Sequence, residues 1–214
     1  MEEEIEIINS NSRNEKIKNF FINFKNQIIL LLALIILISF GYFFYQDYKS
    51  DKKIKLANQY NLAVLNYVPD EKNKTRIILE EIIKTKDKTY SPLAFYFLID
   101  NEIINSKEEI NNYFDFIINE ISLDEEIQNL NIFKKGLFNS DFVNENELLD
   151  ILNPIIKSQS IWRPHAIYLM AEYYFSNNQK QKSKEFFNKI ISIENINPKI
   201  KVQAQKRLRA DFSE

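Results

Sequence analysis

The sequence predicts an all-α protein, with one transmembrane helix near its N-terminus and an array of antiparallel helical hairpins after it. Three observations predict this fold. Residues 28–45 are apolar and carry no charge, residues that form turns are scarce, and helix-start signals recur at nearly regular intervals after residue 50. Only two glycines and five prolines occur among 214 residues, which favours long helices. No stretch alternates clearly enough to predict a β-strand.

The run from Ile28 to Tyr45 is predicted to cross a membrane. As a helix it is roughly 27 Å long, which is close to the ~30 Å hydrocarbon core of a bilayer. No face of it is polar, and an aromatic cluster typical of a membrane boundary ends it, namely Tyr42, Phe43, Phe44, Tyr45 and Tyr48. A buried core helix is the alternative. A cleaved signal peptide fits poorly, because the run is too long and no small-residue cleavage site follows.

We therefore divide the chain into a tail (1–27), the span (28–45) and a helical domain (46–214). Residues 1–12 are acidic and then polar, which predicts disorder. The basic segment that follows has apolar residues at helical spacing, so it is either an interfacial amphipathic helix or an extension of the span. Four basic residues lie close to the span on each side, so charge alone does not predict its orientation.

Helices are predicted after the span near residues 53–67, 75–84, from 91, 107–120, 123–138, 145–157, 163–175, 179–191 and 198–210. Five signals mark helix starts: Ser91-Pro92, the capping boxes Ser106–Glu109, Ser122–Glu125 and Asn144–Glu147, and Arg163-Pro164. Pro154 predicts a bend in the helix that contains it.

Two of these openings resemble each other. Pro92, Ala94 and Tyr96 recur as Pro164, Ala166 and Tyr168 at a separation of 72 residues, which is close to twice the ~34-residue tetratricopeptide (TPR) period. In the second copy, the TPR pattern of small and aromatic positions falls on Ile167, Met170, Ala171, Tyr174, Ser183 and Phe187. Small residues at these places let antiparallel helices approach closely. The domain is therefore predicted to be a TPR-like α-solenoid.

Three segments together resemble one known family: the basic-aromatic entry from Ile17 to Gln27, the exit helix from Tyr42 to Val64 and the hairpin from Trp162 to Ile191. With them, the chain resembles the YfgM-like family of membrane-anchored, TPR-like proteins that accompany the bacterial SecYEG translocon. It implies an inner-membrane protein with a cytoplasmic N-terminus and a periplasmic domain. It also implies a non-enzymatic role beside the translocon, together with a membrane-anchored periplasmic chaperone. Residues 107–157 depart most from the family.

Composition argues against several other functions. A net charge of −2 gives no electrostatic attraction to nucleic acid, and the absence of cysteine excludes thiol catalysis and cysteine-based zinc sites. The two distant glycines exclude the common phosphate-binding loops. The single histidine, His165, is predicted on the surface at a helix start. We expect no catalytic, metal or cofactor site and no small-molecule substrate.

The candidate partner-binding residues are Tyr96, Trp162 and Tyr168. For each of them, packing inside the domain is the alternative role. The C-terminal helix is basic. Solvation of these charges and their favourable interaction with the helix dipole explain this composition better than contact with lipid or a partner does. The leading hypothesis is a module that binds proteins at the translocon. A generic membrane-tethered scaffold in envelope assembly is the alternative, and an envelope hydrolase is a more remote one.

Overall fold

Helices make up nearly all of the chain that the structure describes. The computed structural model describes residues 2–194 and 196–212, with side chains from Lys18 onward apart from those of Phe21 and Ile28. No strand occurs among these residues, so the all-α prediction is confirmed. The helices are α1 (Glu2–Leu65), α2 (Lys72–Lys84), α3 (Tyr90–Asp100), α4 (Lys107–Glu120), α5 (Glu125–Asn139), α6 (Glu145–Ile156), α7 (Arg163–Ser176), α8 (Lys180–Ile191) and α9 (Pro198–Phe212). A single 3-10 turn, Pro69–Glu71, precedes α2.

The chain divides into two compact units, residues 1–58 and 59–214. The first contains helix α1 as far as Asn58, and this helix is long and apolar enough to cross a membrane. None of its most apolar window is buried, so the alternative of a buried core helix is wrong. Residues 2–12 are helical rather than disordered, because no glycine or proline precedes Gly41 to interrupt the helix. No break separates the basic segment from the apolar run.

In the second unit, each helix from α2 to α9 packs against the next one along the chain. Helix α5 also contacts α7, and α7 contacts α9, whereas no contact joins the described helices α4, α6 and α8 to one another. The largest fully buried side chains come from almost every helix of this unit: Phe95, Phe187, Leu79, Ile82, Ile83, Leu98, Ile117, Leu148, Leu152, Ile155, Met170 and Ile190. The core therefore runs along the whole row of helices.

Small residues lie at close contacts between neighbouring helices. The buried Ser183 hydroxyl on α8 donates to the carbonyl oxygen of Ala171 on α7 at 2.8 Å. The exposed fractions of Tyr174 and Phe187 beside them are 2% and 0%, so the predicted roles of these four residues in packing are confirmed. Between α5 and α6, Gly136 faces Leu152 so closely that any side chain at this position would force the Leu152 side chain to move.

Three of the five predicted helix starts are confirmed: α7 begins at Arg163, as Arg163-Pro164 predicts, and two others show the predicted caps. The side chain of Asn144 accepts hydrogen bonds from the backbone N–H groups of Asn146 and Glu147, and the Glu147 carboxylate accepts one from the Asn144 N–H. This is a complete capping box. Ser106 caps α4 by accepting from the Glu109 N–H. Helix α6 continues through Pro154 to Ile156.

Two other predicted starts are wrong. Helix α5 begins at Glu125 after Asp124, so Ser122 lies outside it and caps nothing. Helix α3 begins at Tyr90 after Thr89, which places Ser91 inside the helix. The buried Ser91 hydroxyl instead donates to the carbonyl oxygen of Ile82 on α2 at 3.1 Å. A hydroxyl that joins two helices is not available to cap one of them.

Three helices end next to a non-glycine residue with left-handed backbone geometry. These residues are Lys86 (φ 57°), Glu102 (φ 50°) and Asn178 (φ 59°). After α3, the N–H groups of Glu102 and Ile103 donate back to the carbonyl oxygens of Ile99 and Leu98, both at 2.9 Å, in the Schellman pattern. Left-handed geometry costs an L-residue roughly 1–2 kcal/mol. The glycine-poor chain thus accepts local strain at these three ends.

We expect Gly136→Ala to lower the free energy of unfolding by about 1–3 kcal/mol, because the core around it is full. The added methyl carbon would lie 2.4 Å from Cδ2 of Leu152, which is fully buried. This clash outweighs the gain of about 1 kcal/mol in helix propensity. Urea denaturation of the full chain in detergent micelles, followed by far-UV circular dichroism, measures the change. Gly41→Ala is the control, because nothing lies within 4 Å of a methyl group there. A more stable Gly136→Ala variant would contradict the packing.

Candidate docking surface

Tyr96 joins helix α3 to helix α5. Its side chain is partly buried, and its hydroxyl donates to Oδ1 of Asn131, which is itself buried on α5. Lys134 places its ammonium group 3.4 Å from the centre of the Tyr96 ring. Burial raises the pKa of the Tyr96 phenol well above its usual value, and the nearby charge of Asp100 raises it further. Tyr96 is therefore committed to contacts within the domain.

Tyr168 stands at the equivalent place on α7 but has different partners. Its ring packs edge-on against Phe187, with centroids 5.3 Å apart. Burial raises the pKa of Tyr168 to about 12, and its hydrogen bond with Glu172 contributes in the same direction. The Glu172 carboxylate accepts two hydrogen bonds from Arg207 on α9, both at 2.8 Å. Tyr168 thus belongs to a network that links α7 to α9, as Tyr96 links α3 to α5.

Trp162 lies immediately before α7 and packs against α5. Its indole ring stacks on Phe133 with centroids 5.9 Å apart and an interplanar angle of 21°. Its backbone N–H donates to Oγ of Ser160, and that hydroxyl donates to Glu126 on α5 at 2.7 Å. The packing role considered for Trp162 is therefore present, and the ring remains partly exposed.

His165, predicted on the surface at a helix start, lies in the first turn of α7 with its ring against two aromatic side chains. The residue is partly buried, and its ring lies 5.3 Å from Trp162 and 6.0 Å from Phe133, measured between centroids. Pro164, which precedes it, is buried in the first turn of α7. Aromatic neighbours, rather than carboxylates, surround the imidazole.

A cavity of about 710 Å³ opens beside Trp162, between the loop before α7 and the loop before α9. Its walls are formed by Gln159, Ser160, Ile161, Trp162, Arg163, Pro164, His165, Ile193, Glu194, Ile196 and Asn197. Two buried nitrogen atoms of these walls, Nε of Arg163 and Nδ1 of His165, have no hydrogen-bond partner among the residues that the structure describes. Leaving a buried polar atom unpaired costs about 1–3 kcal/mol, so native proteins rarely do so without a reason.

Sequence reasoning found Trp162 but missed Arg163 and the loop before α9. One signal could have identified Arg163. In the repeated opening it stands where Ser91 stands in the first copy, and Ser91 is fully buried. An arginine at the position that a buried serine occupies in the first copy indicates that the surroundings of this position differ between the two copies. The loop before α9 gives no such signal, because only folding brings it next to α7.

The other observations assign no chemistry to this unit. No group of three or more potential metal-ligating side chains occurs among the described residues. Comparison of the chain with protein-family models, with curated proteins and with solved structures finds no match. The candidate docking surface consists of Tyr96, Trp162, Tyr168 and the cavity beside Trp162. Only the geometry of these residues, which belong to links between alternate helices, supports it.

We expect Tyr96→Phe to lower the free energy of unfolding by about 1–3 kcal/mol, because the buried Oδ1 of Asn131 loses its donor. Tyr168→Phe is the matched control and should cost less than half as much. There the Glu172 carboxylate keeps both bonds from Arg207 and is partly exposed. Urea denaturation of both variants measures the difference. Equal stability of Tyr96→Phe and the wild type would mean that this tyrosine has no structural role.

Proposed function

We propose that the protein is a membrane-anchored, TPR-like module that binds other proteins and has no catalytic centre. The observation that carries this proposal is the regular recurrence of helix pairs in residues 59–214, in a chain that also contains an exposed apolar helix. Arrays of such pairs bind partners on the extended surface that their stacking creates. The exposed apolar helix supplies the means of attachment to a bilayer.

The spacing of the helices supports a repeat. Helices α2, α4, α6 and α8 begin 35, 38 and 35 residues apart. Helices α3, α5, α7 and α9 begin at the same three intervals. A period near 34 residues is that of the TPR helix pair. The longer middle interval arises between the starts of α5 and α6, within the segment that departs most from the YfgM-like family.

Polar contacts between successive pairs have the same period. Tyr67 donates to the carbonyl oxygen of Asn101, 34 residues on, and Tyr96 donates to Asn131, 35 residues on. Two further links have separations of 34 and 35 residues, namely Ser160 with Glu126 and Arg207 with Glu172. Contacts at one fixed separation are expected where each unit packs only against its neighbours.

The pattern of helix contacts supports a curved array. Helices α5, α7 and α9 contact one another in turn, whereas contacts are absent between the described helices α4, α6 and α8. One set of helices therefore lies closer together than the other, so the closer set should line the inner side of the curve. Ile127 on α5 is an exposed apolar residue of that set, at 44%. Leu93, at 41%, stands on α3, which begins 35 residues before α5 in the same series of helix starts. They are suited to contact with a partner.

The identity of the partner comes from the resemblance alone. It supports SecYEG and a membrane-anchored periplasmic chaperone, with the N-terminus in the cytoplasm and the helical domain in the periplasm. A generic scaffold in envelope assembly has the same architecture and differs only in its partner. An envelope hydrolase would need reactive polar groups converging on a pocket, and the one imidazole of the chain lies among aromatic rings instead.

Site-specific photo-crosslinking tests the docking surface. A benzophenone amino acid is introduced at Leu93 or Ile127, and at the exposed control positions Asp150 on α6 and Asn188 on α8. We expect the first two positions to crosslink translocon subunits or the chaperone several-fold more strongly than the controls. Equal recovery from all four positions, or recovery of none of these partners, would count against the proposed function. Recovery of other envelope proteins from the first pair would favour the scaffold.

Arginine substitutions within the predicted span test whether α1 anchors the protein in a membrane. We expect Leu34→Arg combined with Leu37→Arg to release the protein from membranes, because each arginine at mid-span costs about 2.5–3.5 kcal/mol. Leu65→Arg lies outside the predicted span at an exposed position and should leave the protein in the membrane fraction. Alkaline washing followed by sedimentation measures the distribution. An alkaline phosphatase fusion at the C-terminus should be active if the domain is periplasmic.

A further inference from the structure

The cavity beside Trp162 has the composition of a ligand site rather than of a packing defect. Its volume of about 710 Å³ falls within the range of 300–1,000 Å³ that is usual for binding pockets. Its walls combine apolar side chains such as Trp162, Ile193 and Ile196 with polar ones such as Arg163 and His165. Apolar walls beside polar groups are the usual arrangement in a site that orients its ligand.

The guanidinium group of Arg163 defines what the ligand must carry. It keeps its charge and can only donate hydrogen bonds. Arg163 lines the cavity, and its side chain forms no ion pair or hydrogen bond with a described residue, whereas a carboxylate is the acceptor that pairs best with guanidinium. Glu194, the one acidic residue of the walls, is exposed and accepts from neither buried nitrogen. Solvent and salt screen its charge more strongly than that of a buried group.

His165 and the rim of the cavity contain further groups that a ligand can contact. His165 also lines the cavity and carries two ring nitrogens. Its Nδ1 is shielded from solvent, so Nε2 is the nitrogen left to bind a second polar group of the ligand, such as a peptide amide. At the rim, the side chain of Ile161 is 68% exposed and lies beside the cavity. An apolar contact outside the pocket fits a ligand that extends beyond it, as a peptide does.

We propose that this cavity binds a peptide segment of a protein partner, through a carboxylate paired with Arg163 and an adjacent apolar side chain held against Trp162. This inference rests on the proposed function, since it names the chemistry of the partner. The carboxylate can come from the C-terminus of the partner or from an aspartate or glutamate side chain. Both sources present the same acceptor to the guanidinium.

The chain contains its own reporters for this site. Trp162 is its only tryptophan and His165 its only histidine, and both line the cavity. Tryptophan fluorescence and the imidazole NMR signals of the full chain in detergent micelles therefore report on one place without labelling. Three hexapeptides without tryptophan or histidine are used as probes. The first ends in Ile-Phe with a free carboxylate, the second is its C-terminal amide, and the third is an amide with aspartate before the phenylalanine.

We expect a carboxylate probe to shift both reporters with one dissociation constant and the second probe, which has no carboxylate, to bind at least tenfold more weakly. The first and third probes identify whether a terminal or a side-chain carboxylate is preferred. Arg163→Gln should weaken binding tenfold or more, and Arg163→Lys, which keeps the charge but loses Nε–H, should fall between. The matched control Lys184→Gln removes a charge from an exposed position outside the cavity and should change affinity less than twofold.

Several results would overturn the inference. These are equal binding of acid and amide, unchanged affinity of Arg163→Gln or Arg163→Lys, or no response of either reporter to any probe. Circular dichroism, and the fluorescence of Trp162 before any probe peptide is added, establish that the variants are folded. If crosslinks from Leu93 and Ile127 persist while Arg163 proves irrelevant, only this inference fails. If those crosslinks are absent as well, the proposed function fails with it.

Discussion

The close approach of neighbouring helices is the constraint on which the rest of residues 59–214 depends. It is set by small residues at the crossing points: Ser91 bonded to the Ile82 carbonyl, Gly136 against Leu152, and Ser183 bonded to the Ala171 carbonyl. Each of these lets two backbones come near enough for large side chains to interlock around them. Because protein interiors are packed to nearly crystalline density, the spacing at these points determines which side chains fit beside them. Tyr96, Tyr168 and the cavity lie in the space between these contact points.

Polar contacts then connect alternate helices across these packed pairs. Tyr96 reaches Asn131, Ser160 reaches Glu126, and Glu172 holds Arg207. Several of these partners are only partly buried, and exposed ion pairs contribute little to stability, so their value is mainly geometric. They fix the rotation of one unit on the next. The candidate surface is consequently shared by consecutive repeats rather than carried by one helix.

The sequence predicted most helices within a few residues, and local chemistry explains both success and failure. Asn144 caps a helix because its bonds are made within four residues, where sequence alone is sufficient. Ser91 was misplaced because its hydroxyl serves a carbonyl on another helix, nine residues away. Ser122 was misplaced because the next turn starts two residues later, at Asp124, whose carbonyl accepts the first bonds of α5.

The candidate site could be predicted only in part, for the same reason. The repeated opening located Tyr96 and Tyr168, and the lone tryptophan attracted attention, yet none of these patterns places a loop 30 residues away against them. The loop before α9 meets Arg163 only through the packing of α7 on α8 and of α8 on α9. A residue such as Arg163, whose role depends on a distant loop, is not visible to arguments from spacing.

The left-handed residues at the helix ends have a consequence for how composition acts on such a protein. Glycine codons are rich in G and C, and the sequence favours residues with AT-rich codons, such as isoleucine, asparagine and lysine. Lys86, Glu102 and Asn178 occupy turns where glycine would be relaxed. Nucleotide bias in a genome can thus lead to backbone strain. Here the strain falls on exposed turns, where it does not disturb the packing of side chains.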